Sequence, residues 1–254
     1  MKNIGFTFDE KILYTDTLEG FFEKLPFPIN HLELAPDYSL FSQKTYEDVA
    51  TYSKNLNFHM PYFITDQKYD FAFNAFKSFD AFFLIVDHLR PLSIKKPSIV
   101  IHGSREKDKS LSHDQTKRGL EYLLNFINKK KLDVILRLEN TEVLSAHSLY
   151  DLANVNKIIE TFKSPQLKLC YDMAHDYYGA KNFVLPDNNL LSYMDYYHLH
   201  GKNTLKHQDL NYFPKELLKT IKDKGDLTIE LLLSNCQEDY SQTLINNLLL
   251  LNRL

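Results

Sequence analysis

Short apolar runs alternate with longer amphipathic ones along the whole chain. The short runs, rich in Ile, Val, Leu, Tyr and Phe, predict strands at 3–8, 31–35, 57–61, 98–102, 133–139, 167–172, 195–200 and 226–231. Between them apolar residues return at helical spacing. The segment 45–55 follows Ser42, a capping residue type, and 70–89 repeats Phe and Leu. Segment 112–130 carries Leu120, Leu123, Leu124 and Ile127 on one face, and 149–162, 213–224 and 239–251 are built alike. Only 176–191 is a poor helix pattern, because Gly179, Pro186 and an asparagine pair interrupt it. No composition break or low-complexity stretch marks a linker, so one domain over 1–254 is expected.

Eight strands, each followed by a helical segment, is the count of a (β/α)8 TIM barrel. A doubly wound open sheet also alternates, but it gathers its ligand at one switch point. Here polar residues end nearly every apolar run, which favours a closed barrel with a site around one rim.

The polar ends read His31-Leu-Glu33, Asn57-Phe-His59, Ile99-Val-Ile-His102, Leu138-Glu139, Tyr171-Asp172, His198-Leu-His200 and Ile229-Glu230. A carboxylate at the end of an apolar strand must be paired, protonated or bound to a cation. One such residue is explained by a neighbouring Lys or Arg; Glu139, Asp172 and Glu230 at equivalent positions point to a divalent ion. Mixed oxygen and nitrogen donors admit Mn²⁺, Zn²⁺, Co²⁺ or Mg²⁺. Of the ten histidines, His88, His113 and His147 fall in helices or loops, and His31 begins its strand at the opposite end. His59, His102, His175, His198, His200 and His207 remain around the proposed rim as metal or substrate contacts. His198 and His200 share a strand face, and the sequence does not choose between them.

The formal charge of −3 gives no basic surplus for gripping a phosphate backbone, so a nucleic-acid partner is not expected. Two cysteines offer no disulfide framework, and Cys170, inside an apolar run, reads as a buried inert thiol. No stretch is apolar enough to span a bilayer, and the N-terminus is too short and polar for a signal peptide, so a cytoplasmic protein is expected. The aromatic-rich segments 177–178 and 71–83 suit either core or an oligomer interface.

His59-Met-Pro-Tyr62, Ile101-His102-Gly-Ser104, Leu138-Glu-Asn140, Tyr171-Asp-Met-Ala-His175, His198-Leu-His-Gly-Lys-Asn203 and Ile229-Glu230 resemble the xylose-isomerase-like TIM-barrel superfamily. That superfamily holds sugar and sugar-phosphate isomerases and epimerases, and endonuclease IV (AP endonuclease family 2). Resemblance to the epimerase branch implies a divalent cation held by Glu139, Asp172, His200 and Glu230. Glu139 and Glu230 would act as acid and base around an enediolate that the cation stabilises. It also implies His175 and Glu33 at the substrate, with Arg105, Lys202 and Lys206 placed to meet a phosphate if the substrate carries one. Resemblance to endonuclease IV implies a zinc phosphodiesterase acting on abasic DNA. That branch's Asp-x-His after strand seven is broken here, since Leu205 stands two positions before His207. A barrel that binds a metal or ligand without catalysis is the third alternative.

Overall fold

A computed structural model describes residues 3–8, 12–13, 16–36, 43–63, 79–104, 108–141, 152–179, 182–188, 191, 194–201, 209–231 and 240–254. Its elements in order are β1 (Ile4–Phe8), α1 (Leu18–Glu23), β2 (His31–Leu34), α2 (Gln43–Ala50), β3 (Leu56–Phe63), α3 (Phe79–Leu89), β4 (Ser98–His102) and α4 (Lys109–Lys130). Then follow β5 (Ile135–Glu139), α5 (Leu152–Phe162), β6 (Leu167–Asp172), α6 (Met173–Gly179), β7 (Tyr196–Leu199), α7 (Lys215–Ile221), β8 (Asp226–Ile229) and α8 (Tyr240–Arg253). The eight strands are parallel and close into a barrel, with β1 paired to both β2 and β8. The expected (β/α)8 architecture is therefore present.

Strict alternation along each strand separates two environments. Outward residues such as Phe6, Leu32, Phe58, Ile101, Leu138 and Leu199 join the helices in one large apolar core. Each is worth ~1.5–3 kcal/mol when fully buried, and this layer carries the stability. Inward residues are mostly polar. Val100, Cys170 and Tyr196 form the small separate apolar cluster, in place of the stacked layers of Val, Ile and Leu that usually fill such barrels. The cost of that polar interior has to be met by pairing.

Local chemistry explains the helix ends. Asp108 caps α4 by accepting from the Leu111 N–H at 2.9 Å. Lys131 closes it in the left-handed region at φ 55°, with Lys129 and Lys130 in the last turn complementing the helix dipole. Three elements differ from the sequence expectation. Helix α1 was not anticipated, because six residues are too few to display a helical period; Thr17 caps it, and Phe21 packs edge-on against Phe6 at 5.9 Å. Strand β3 runs past Pro61 to Phe63, where the pairing with β4 shifts register between His59 and Phe63. Helix α6 begins directly after β6, so His175 lies in its first turn instead of before it. The expected helix stretches 70–78 and 149–151 lie outside the described residues. Tyr177 and Tyr178 are partly buried against the core, their rings packed on Phe213.

Among the described residues no helix is long and apolar enough to cross a membrane.

Candidate metal centre

The ends of β5, β6, β7 and β8 converge. Glu139, Asp172, His198 and Glu230 each present one ligand atom, and the four atoms lie within 4.8 Å of one another. Glu139 is the last residue of β5, in register with His102. Asp172 ends β6, and its backbone is clamped by Asn140: Asn140 Oδ1 accepts from the Asp172 N–H at 2.8 Å, and Asn140 Nδ2 donates to the Asp172 carbonyl at 2.9 Å. Asp172 also caps the helix that follows it, its Oδ1 accepting from the His175 N–H at 2.7 Å. That leaves Oδ2 facing the centre. Glu230 stands just past β8, where its N–H donates to the Leu199 carbonyl at 3.0 Å.

Besides Glu139, Cys170 and His198, two further groups of donors share these carboxylates. His59, His102 and Glu139 form one, and Asp172, His175 and His200 form the other. In four of these histidines one ring nitrogen is anchored outside the centre. His59 Nδ1 lies 3.2 Å from the Met60 carbonyl, His175 Nδ1 3.0 Å from that of Asn140, and His200 Nδ1 3.1 Å from that of Gly201. His198 is anchored differently, its Nε2 lying 3.0 Å from Glu33 Oε2. A ring nitrogen that donates outward carries the proton, so the other nitrogen is left with a lone pair for a ligand.

Charge is dense here. Burial would raise the Glu139 carboxyl, but His198 and His102 outweigh it and hold it well below the usual range. Asp172 is lowered against its own burial by His175 and His200. Burial pushes His198 down, yet its neighbours raise it well above an ordinary histidine. Among those neighbours Cys170 acts only as a thiolate, which burial disfavours by pushing the thiol up; the charges responsible are Glu33, Glu139 and Glu230. His59 is raised too, its burial outweighed by the bond to Glu139 and by Glu33 and Glu230, while burial lowers His102.

This donor set fits a divalent cation. Glu139 Oε1, Asp172 Oδ2 and His198 Nδ1 are buried atoms with no hydrogen bond among the described residues. All three belong to residues of the four-donor group; such atoms are unusual in a protein interior, and a bound cation would give them a partner.

The structure brings together Glu139, Asp172, Glu230, His59, His102, His175, His198 and His200. Two placements bear on the sequence expectation. His198, not His200, stands with Glu139, Asp172 and Glu230, while His200 turns its Nε2 to Asp172 Oδ2 at 3.2 Å. Glu33 is fully buried, with Thr7 and Tyr196 hydroxyls donating to it at 2.8 and 2.7 Å and His198 against it, so both its oxygens have partners inside the barrel. Arg105, Lys202, Lys206 and His207 lie outside the described residues, as does His147. His88 is on the surface, paired with Glu47, and His113 is partly exposed. Sequence reasoning assigned no role to Asn140, although its position beside Glu139 was visible. Nor did it single out Arg137, buried two residues before Glu139. Arg137 donates to Ser98 and Asp195 and covers the Tyr196 ring; its period-2 relation to Glu139 was the available signal.

No protein-family model matches the sequence, and no curated protein matches it. Solved structures do match in fold. A D-psicose 3-epimerase crystallised with D-fructose has a TM-score of 0.65 at 14% identity, over 100% of this chain and 98% of that one. A 3-keto-D-glucoside 4-epimerase from E. coli has a TM-score of 0.62 at 14% identity, covering both chains fully. An AP endonuclease, family 2, from Brucella melitensis has a TM-score of 0.61 at 13% identity, over 96% and 97% of the two chains. At such identities the likeness is one of fold alone, the closed eight-stranded barrel.

Proposed function

We propose that this chain is a divalent-metal-dependent isomerase or epimerase of a sugar or sugar phosphate. The observation that carries the reading is the four-donor group of Glu139, Asp172, His198 and Glu230, three carboxylates and one imidazole within 4.8 Å of one another. Mn²⁺, Zn²⁺, Co²⁺ or Mg²⁺ suits such donors, and when bound it supplies positive charge against the oxygens of a developing enediolate. The protein's own groups move the proton. Glu139, held ionised, or Glu230 takes the C–H proton beside the ketose carbonyl; the electron pair forms the carbon–carbon double bond, and charge passes to the carbonyl oxygen. The other glutamate, from a different strand, returns a proton to the opposite face or to the adjacent carbon. His175 and His102 line the same rim and suit hydroxyl contacts.

A second reading is a metal-dependent phosphodiesterase of the abasic-DNA type. The two additional groups, His59–His102–Glu139 and Asp172–His175–His200, favour it, because each shares a carboxylate with the first group as a multinuclear site would.

The test is solvent exchange. In deuterated water with Mn²⁺, one or more members of a panel of ketoses and ketose phosphates should acquire deuterium beside the carbonyl, as followed by NMR. Glu230→Gln should slow that exchange by roughly 10²-fold or more while keeping the fold. Absence of exchange with every member, together with metal-dependent nicking of abasic DNA, would establish the second reading instead.

A further inference from the structure

We infer that Glu33 is a positioning residue for the metal centre: it fixes the ring of His198 so that Nδ1, and not Nε2, is the metal-binding atom. The inference rests on the proposed metal site and adds a residue to it. Glu33 sits one layer below the centre on β2, on the far side of the barrel in sequence but 3.0 Å from His198 Nε2. Its carboxylate has no exposure, and its oxygens are already engaged. The Thr7 hydroxyl donates to Oε1 at 2.8 Å, and the Tyr196 hydroxyl donates to Oε2 at 2.7 Å. A group that receives two hydroxyl donors is an acceptor, so the His198 nitrogen beside it must carry the proton. The remaining nitrogen, Nδ1, faces Glu230 Oε2 at 3.4 Å and Glu139 Oε2 at 3.5 Å, and it is the position where a cation would replace the second ring proton.

His59, His175 and His200 are anchored on backbone carbonyls, whereas His198 is anchored on a carboxylate. A charged acceptor makes the stronger bond and raises the basicity of the ligating nitrogen. Glu33 also belongs, with His59 and His198, to a group of donors close enough to hold an ion. Its three existing partners identify it as a support for His198 and not as a ligand.

Two measurements test this. In Zn²⁺-loaded wild-type protein with ¹⁵N-labelled histidine, His198 should show a protonated Nε2 and a metal-shifted Nδ1. The opposite assignment overturns the inference without any variant. Glu33→Gln, nearly isosteric, lets an amide N–H face His198 Nε2 and move the ring proton to Nδ1. Calorimetric titration with Zn²⁺ should then give a Kd about 10–100-fold weaker than wild type, with unchanged far-UV circular dichroism. A Kd within twofold of wild type, with the Nε2 proton retained, also overturns it. Wild-type protein that takes up no divalent cation would instead remove the functional reading, a separately recognisable outcome.

Discussion

Glu139→Gln distinguishes a metal centre from an ion-pair network of the same composition. At 3.5 Å a protonated His198 attracts Glu139 by about 4–5 kcal/mol at an effective dielectric of 20. Asp172 and Glu230 lie within 4.8 Å and each repel it by about 3.5 kcal/mol or more on the same scale. Removing the Glu139 charge loses that attraction and a similar one from His59 at 3.5 Å, and relieves the two repulsions, so in the metal-free protein the effects largely cancel. The metal-free melting temperature of the variant should therefore stay within a few degrees of wild type. With a divalent cation at 100-fold over its Kd, wild type gains about 2.7 kcal/mol, a rise of roughly 5–10 °C for a chain of this size. Glu139→Gln, lacking the carboxylate that three donor groups share, should lose most of that rise. The assay is thermal denaturation of both proteins in chelator and in saturating Mn²⁺ or Zn²⁺. A variant that melts far lower in chelator yet keeps the full metal-induced rise would refute the reasoning, because Glu139 would then be serving the histidines alone.

Cation affinity should fall as pH falls from 8 to 6. His198 and His59 have raised pKa values in the metal-free protein, so protons compete for the same nitrogens; calorimetry in buffers of different ionisation heat should detect proton release, and a pH-independent Kd would count against ligation by these rings. His31, at the barrel floor, is pushed down to about 4 by burial. The unfolded chain takes up its proton near pH 6.5, so stability is full above that pH and is lost as pH drops toward 4. The loss is about 3 kcal/mol; His31→Gln should flatten the pH dependence of urea unfolding over that window, and an unaltered slope would refute it. A methyl group on Gly5 would meet the His31 carbonyl and come within 2.6 Å of the His31 ring. Gly5→Ala should therefore cost ~1–3 kcal/mol or more in the same assay, and an unchanged midpoint would show that the floor yields.

Much of the barrel was legible along the chain because its strands obey one rule: apolar residues face the helices and polar residues face inward. That alternation made Glu139, Asp172 and Glu230 recognisable, since each interrupts or ends an apolar run. The six-residue α1 was not legible, for it is held by the Thr17 cap and by Phe21 packing on β1 more than by its own periodicity. Where α6 begins was also hidden, because Asp172 serves at once as strand end, helix cap and candidate ligand.

The sequence by itself determined the number and order of strands, and which residue types would crowd one end of them. It could not distinguish His198 from His200, because a period of two places both on the same face. Tertiary structure separates them by depth and register. His198 pairs opposite Asp172 and Thr228, at the level where Glu33 rises from β2 and Glu139 and Glu230 close in from either side. His200 lies one step higher, where α6 brings His175 against Asp172. Depth inside a closed barrel is set by the stagger between neighbouring strands, a property of the assembled sheet that no single strand's sequence contains.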